Sequence, residues 1–343
     1  MRIGIVTVFK TNNYGSYLQA WALNRVLRDS GHKPFFVNYK SNSSNWGNVL
    51  VTAIKCGLKA HFKIGIYILK RKIQFDRAQR VFNITSNASN MDLCIYGSDT
   101  IWNFADPFFR NNAGLFLGKN YCGKKIGYAI SIGSSSSSDF RGIEGIRDSI
   151  DAFDEIALRD EYSLMVLQDI CPKDKYSLVV DPTMLLTPDD YNEIQLSCSD
   201  SGFILFYYFG GAPEELIKSA RRLADLKGLK LVSIGSPNSS FDKCINNIPG
   251  HFLSYMKKAD YVVTNTFHGC VFSILFNKQF VANACEKKKI ISLLTQYNLN
   301  SRMIKDYDGL SDIFNNDIDY RIINSTIKFN RDASIDYLLK NIY

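Results

Sequence analysis

The sequence predicts an α/β protein built as two Rossmann-like domains facing a cleft. Three observations carry that expectation. Short β-branched, uncharged runs such as RIGIVTVF (2–9) and GFILFYYFGG (202–211) alternate with segments of helical periodicity, the pattern of parallel sheets covered by helices. The alternation begins afresh near residue 200, after Asp181-Pro182 has interrupted the first series. The 343 residues also exceed one ordinary core, at about 150 residues per domain.

Residues 2–9 read as a buried parallel strand, followed by the polar turn TNNYGS. Tyr17, Leu18, Trp21, Ala22, Leu23, Val26 and Leu27 then recur at helical spacing until Gly31 stops the helix. Residues 34–39 (PFFVNY) complete a β-α-β unit, for which a right-handed crossover is expected. Residues 46–80 predict helix, broken near Gly65. Strands are expected at 91–97, 124–130, 155–160 and 177–186, with a serine-rich loop at 133–138 and a helix from Glu161. Asp181-Pro182 should end regular structure. In the second half, strands are expected at 202–211, 230–235, 259–266 and 279–284. Pro213-Glu214-Glu215 suits the first turn of a helix, and further helices are expected over 251–258, 267–276 and 289–299. The division is an N-terminal domain of residues 1–190 that includes the basic helical segment 46–80, and a C-terminal domain of 191–320. A final helix within 321–343 should pack back on the first domain.

Hydrophobic residues at 46% and charged residues at 22% are ordinary for a globular chain. The net charge of +8 is local: between Lys55 and Arg80 eight Lys/Arg face one acid, Asp76, and the rest of the chain is near neutral. That is not the general basicity of a nucleic-acid binder, and no nucleic-acid partner is expected. The basic residues interleave with Trp46, Val49, Leu50, Ile54, Leu58, Phe62, Ile66, Tyr67, Leu69 and Ile73. Such a composition suits a helix on an anionic membrane surface, or a hairpin packed on the first domain with a solvated basic face. No apolar run reaches about 18 residues, and the opening residues lack signal-peptide character. A cytoplasmic location is expected, at most peripheral at the inner face of the membrane. The cysteines at 56, 94, 122, 171, 198, 244, 270 and 285 form no CxxC, which predicts reduced thiols; no metal site is expected.

Candidate chemistry lies at turns that follow strands, where ligands of open α/β sheets sit. Of the four histidines, His32 and His251 fall at helix ends and His61 in the basic stretch. His268, in TNTFHG, directly follows a strand and opens a helix. Backbone N–H groups there favour an anion, and a bound anion favours an imidazolium, which suits a general acid. Arg159 ends the strand EIALRD, where a guanidinium can clamp a carboxylate or phosphate or pair with Asp160, Glu155 or Asp151. In GSDTIW, Ser98, Asp99 and Trp102 combine a carboxylate with an aromatic face, a common way to hold a sugar, or else a capping Asp99 with Trp102 in the core. The turn from Asn12 to Ser16 lacks both GxGxxG and GxxxxGK[ST], which excludes a dinucleotide fingerprint and a P-loop.

The segments NYGSYLQAWAL (13–23), YGSDTIWN (96–103), YAISIG (128–133), ALRDEYS (157–163), DPTMLL (181–186) and TNTFHGCVFSI (264–274) together resemble the polysaccharide pyruvyl transferase family in order and spacing. The resemblance implies a glycosyltransferase-B-like pair of domains. It implies transfer of a pyruvyl group from phosphoenolpyruvate, as co-substrate and with no further cofactor, to a sugar as a cyclic ketal. The acceptor would be a surface polysaccharide or a lipid-linked oligosaccharide precursor. The family's arginine before a helix matches Arg159 and its histidine matches His268, giving the catalytic pair. Asn265, Thr266, Phe267 and Gly269 would form the donor turn, and Asn13, Tyr14, Gln19, Ser98, Asp99 and Trp102 the acceptor side. Many members carry arginine where this chain has Thr266; Lys288, Lys289 and Arg302 are candidates for the replacement cation. A nucleotide-sugar glycosyltransferase and a non-catalytic sugar-binding relic of the fold are the competing expectations.

Overall fold

The computed structural model describes residues 1–39, 46–60, 62–173, 176–235, 239–246, 248–284, 287–304 and 306–343, with the backbone alone for 56–60, 62 and 63. His61, Cys285 and the Cys56 side chain lie outside the described residues. The chain forms two compact units. One comprises Met1–Ser41, Gln79–Leu186 and Ser325–Tyr343; the other comprises Asn42–Ala78 and Thr187–Asn324.

Strand β1 (Arg2–Val6), helix α1 (Tyr14–Asp29) and strand β2 (Lys33–Val37) make the opening β-α-β unit. Helices α2 (Trp46–Ala60) and α3 (Phe62–Ala78) follow. The first sheet continues with β3 (Ile84–Thr85) and β4 (Leu93–Tyr96), short helices α4 (Pro107–Asn111) and α5 (Ala113–Phe116), and β5 (Lys124–Ile130). Helices α6 (Ser137–Arg141) and α7 (Ile146–Asp151), strand β6 (Glu155–Leu158), helix α8 (Glu161–Ile170) and strand β7 (Tyr176–Leu178) complete it. The second sheet starts with β8 (Phe203–Tyr207), α9 (Glu214–Lys227), β9 (Lys230–Ile234), β10 (Lys243–Ile245) and α10 (Pro249–Lys258). It ends with β11 (Tyr261–Thr264), α11 (Phe267–Leu275), β12 (Gln279–Ala282), α12 (Lys288–Gln296) and α13 (Leu310–Phe314). Helix α14 (Tyr320–Ile342) closes the chain. From Ser325 onward it belongs to the first unit, where Arg331 donates to the carbonyls of Met184 and Leu186 and the Ser334 hydroxyl accepts from Val180 N–H.

Both sheets are parallel throughout, with orders β3-β2-β1-β4-β5-β6-β7 and β10-β9-β8-β11-β12. In β4 and β8 every residue is buried. Strands covered on both faces read as continuous apolar runs, and each large apolar side chain so buried contributes about 1.5–3 kcal/mol. In each sheet the strand order reverses once, between β1 and β4 and between β8 and β11. These reversals open the crevices in which ligands of such sheets bind.

Three expectations change. The helical segment was expected in the N-terminal domain, yet Asn42–Ala78 belongs to the second unit. The Tyr67 hydroxyl donates to the Ile245 carbonyl at 3.2 Å and the Asn246 amide donates to the Tyr67 carbonyl, tying α3 to edge strand β10. Gly65 lies inside α3 rather than at a break. The strand expected over 177–186 stops at Leu178. Asp181 caps the turn Pro182–Met184, its Oδ1 accepting from the N–H and hydroxyl of Thr183.

Candidate active site

In the first unit, the turn after β1 meets the loop after β4. Gly97 is obligatory there: its φ is +116° and a Cβ would lie 2.1 Å from the Tyr128 carbonyl oxygen. Gln19 donates to Thr7 Oγ1 at 3.1 Å and to the carbonyls of Val8 and Ser16, and the Ser98 hydroxyl donates to Gln19 Oε1 at 2.7 Å. The Ser16 hydroxyl donates to Asp99 Oδ2 at 2.6 Å, and Thr100 N–H to Asp99 Oδ1. Trp102 is fully buried and donates from Nε1 to the Phe116 carbonyl.

These facts revise the acceptor side. Tyr14, Gln19, Ser98 and Trp102 are buried, so Trp102 presents no face to a sugar and belongs to the core. The polar residues knit two loops together, because buried polar groups must find partners. Asp99 is nearly as buried. Asn13 alone among the six is half-exposed, and its side chain caps α1 by accepting from Gly15 and Ser16 N–H.

The ion-pair partner expected for Arg159 is also revised. Its Nη1 donates to Asp181 Oδ2 at 2.7 Å, with both side chains 1% exposed. A buried guanidinium requires a charged partner, and the partner comes from beyond the neighbouring strand β7 rather than from Asp160, Glu155 or Asp151. Asp160 instead caps α8 through Ser163. In this geometry Nη1 of the guanidinium braces the end of the sheet through Asp181.

In the second unit, the crevice between β8 and β11 gathers three turns. Thr266 caps α11, its Oγ1 accepting from Gly269 N–H at 2.9 Å while its own N–H donates to Thr264 Oγ1. Gly269 admits no side chain, since a Cβ would meet Thr264 Oγ1 at 2.2 Å. Phe267 and His268 occupy the first turn of the helix, His268 8% exposed and edge-on to the Phe267 ring. The Asn265 side chain clips the β8 loop: Oδ1 accepts from Phe209 N–H at 2.8 Å and Nδ2 donates to the Phe209 carbonyl at 3.0 Å. Asn265 is therefore a positioning residue, and it sets Phe209, 64% exposed, beside the histidine turn. Phe209 and the following Gly210-Gly211 escaped the sequence reading, which took them only as a strand end.

The third turn places a cation beside the Thr266 turn. Lys287, at the start of α12, donates from Nζ to the Asn265 carbonyl at 2.8 Å. It was not among the sequence candidates, because nothing in a loop sequence shows which of three adjacent lysines turns inward. Lys288 is exposed and Lys289 half-buried in the first turn of α12. Arg302 is buried and donates to the carbonyls of Ile313 and Asn316, so it holds α13 and drops out as a donor residue. Burial pushes the Cys270 thiol up to about 12, with Lys287 pulling the other way, which makes Cys270 a packing residue rather than a nucleophile. Among the described residues no three His, Cys, Asp or Glu are placed to hold a metal ion.

The cap yields a direct test. Thr266→Ala is expected to cost about 1 kcal/mol and Thr266→Ser almost nothing, as read by urea denaturation of both variants.

Two all-parallel sheets, each with polar turns at its reversal point, define a protein of two Rossmann-like units, the glycosyltransferase-B kind. The chain belongs to the polysaccharide pyruvyl transferase family, whose pattern it matches over residues 13–285. It is similar in fold to the Anabaena protein HepE in complex with UDP-glucose, with TM-score 0.52 and 13% identity, covering 98% of this chain and 95% of that one. A glycosyltransferase from Rickettsia africae aligns with TM-score 0.49 and 11% identity, over 99% of this chain and 93% of that one. No curated protein matches the sequence.

Proposed function

We propose that the protein transfers a pyruvyl group from phosphoenolpyruvate to a sugar of a bacterial surface polysaccharide, such as a capsule or exopolysaccharide, or to its lipid-linked precursor. The observation that carries this reading is His268 in the first turn of α11, at the reversal point of the second sheet and within the family match. Phosphoenolpyruvate is an enol phosphate with an anion at each end. Protonation of its methylene carbon by the His268 imidazolium turns C3 into a methyl group and leaves an oxocarbenium-like C2. One sugar hydroxyl adds at C2 and its proton returns to the now neutral His268. The bond from C2 to the phosphate oxygen breaks, and a second hydroxyl closes the ketal while its proton leaves with the phosphate. The N-terminal end of α11 and the Lys287 ammonium stabilise the anion. Arg159 acts in this scheme through the structure of the first unit.

Lys287→Ala is expected to weaken phosphoenolpyruvate binding about 10- to 100-fold, the loss of one charge-assisted hydrogen bond, whereas Lys287→Arg retains most of it. Thermal shift with phosphoenolpyruvate reads this, because a ligand that binds only the folded state raises the melting temperature. UDP-glucose, the ligand of HepE, is the control. A shift with UDP-glucose and none with phosphoenolpyruvate would replace the proposal with a nucleotide-sugar glycosyltransferase.

A further inference from the structure

We infer that the α2–α3 hairpin docks on the surface of an anionic lipid bilayer. The inference rests on the hairpin alone and stands whichever donor the active site uses. On α2 only Val49 and Ala53, one turn apart, face inward among the residues with described side chains. Trp46, Leu50, Val51 and Ile54 are each about half exposed, and on α3 Ile66 and Ile73 are exposed as well. Water-facing helices normally place charge at such positions. Here no acid occurs from residue 46 to 75. The first acid, Asp76, is bonded to the Lys72 ammonium and to Trp46 Nε1. Lys55, Lys70, Arg77 and Arg80 are exposed around the apolar face.

A bilayer surface satisfies both halves of this pattern. Its headgroup boundary takes apolar side chains a few ångströms deep, and its anionic lipids attract the basic ones. A second copy of the chain does not, because it would bring one strongly positive hairpin against another. Among the described residues no helix is long and apolar enough to cross a membrane, so the contact proposed is with the surface. It would bring the enzyme to lipid-linked acceptors.

The test is flotation of the full chain with phosphatidylcholine vesicles and with equimolar phosphatidylcholine and phosphatidylglycerol, at low and at raised salt. Wild type is expected to float only with the anionic vesicles and to be released as salt screens the attraction. The L50S/I54S variant should lose flotation. Each of Lys55→Gln, Lys70→Gln and Arg77→Gln should lower partitioning about fivefold. All these side chains are exposed, and unchanged melting temperatures would show the variants folded. Absence of flotation on anionic vesicles at low salt overturns the inference, as does flotation that neither set of variants reduces. A dimer in sedimentation that L50S/I54S dissociates, without vesicle binding, would reassign the face to self-association.

Discussion

His268→Gln is expected to lower phosphate release from phosphoenolpyruvate by about 10²- to 10⁴-fold, the range for removing a general acid, while phosphoenolpyruvate still raises the melting temperature. The two readouts separate because of the local geometry. Thr266 and Gly269 hold the turn through Oγ1 and N–H, and Asn265 holds the neighbouring loop, so the turn keeps its shape without the imidazole and the proposed anion binding is expected to survive. Glutamine is close in size to histidine and leaves little cavity at this nearly buried position. It can donate a hydrogen bond but cannot deliver a proton to carbon. Near-wild-type turnover in His268→Gln would remove the histidine from the chemistry. Loss of the thermal shift along with turnover would make it a binding residue instead.

The second large effect falls on stability. Arg159→Met is expected to destabilise the protein by about 3–5 kcal/mol, because it leaves the Asp181 carboxylate buried without its cation. That corresponds to a fall in melting temperature of roughly 6–20 °C for a unit of this size. The double variant R159M/D181N should recover much of the loss. Asparagine keeps an oxygen for the N–H and hydroxyl of Thr183 but carries no charge. Calorimetry of the single and double variants measures the coupling. If Arg159→Met melted like wild type and lost phosphoenolpyruvate binding, the arginine would be a ligand clamp, as its place at a strand end first suggested.

The contrast between His268 and Arg159 shows what a sequence of this kind discloses. Strand and helix alternation is a local property, so β5, α8, α11 and most strands of both sheets could be read from apolar runs and their spacing. His268 was legible because one short segment contains the strand end, the cap and the helix start. Arg159 was legible as a strand-end residue but its partner was not: Asp181 lies 22 residues on, past a helix and a strand. The same limit hid the Lys287 contact with Asn265 and the bond from Tyr67 to Ile245 that carries α3 into the second unit. Trp102 misled for a different reason. An aromatic beside a carboxylate after a strand suits a sugar site and a core equally well, and only the Phe116 carbonyl facing its Nε1 decides between them. The edge strands β3 and β10, of two and three residues, are too short for any periodicity to mark.

In the proposed function the second unit's crevice delivers pyruvate to a sugar. Incubating the protein with phosphoenolpyruvate and a lipid-linked oligosaccharide extract from a polysaccharide-producing bacterium, then weighing the acceptor by mass spectrometry, tests it most directly. The expected product is an acceptor heavier by one pyruvyl ketal, with one phosphate released for each ketal formed. An acceptor that instead gains a hexose when UDP-glucose is supplied, with phosphoenolpyruvate untouched, would contradict it.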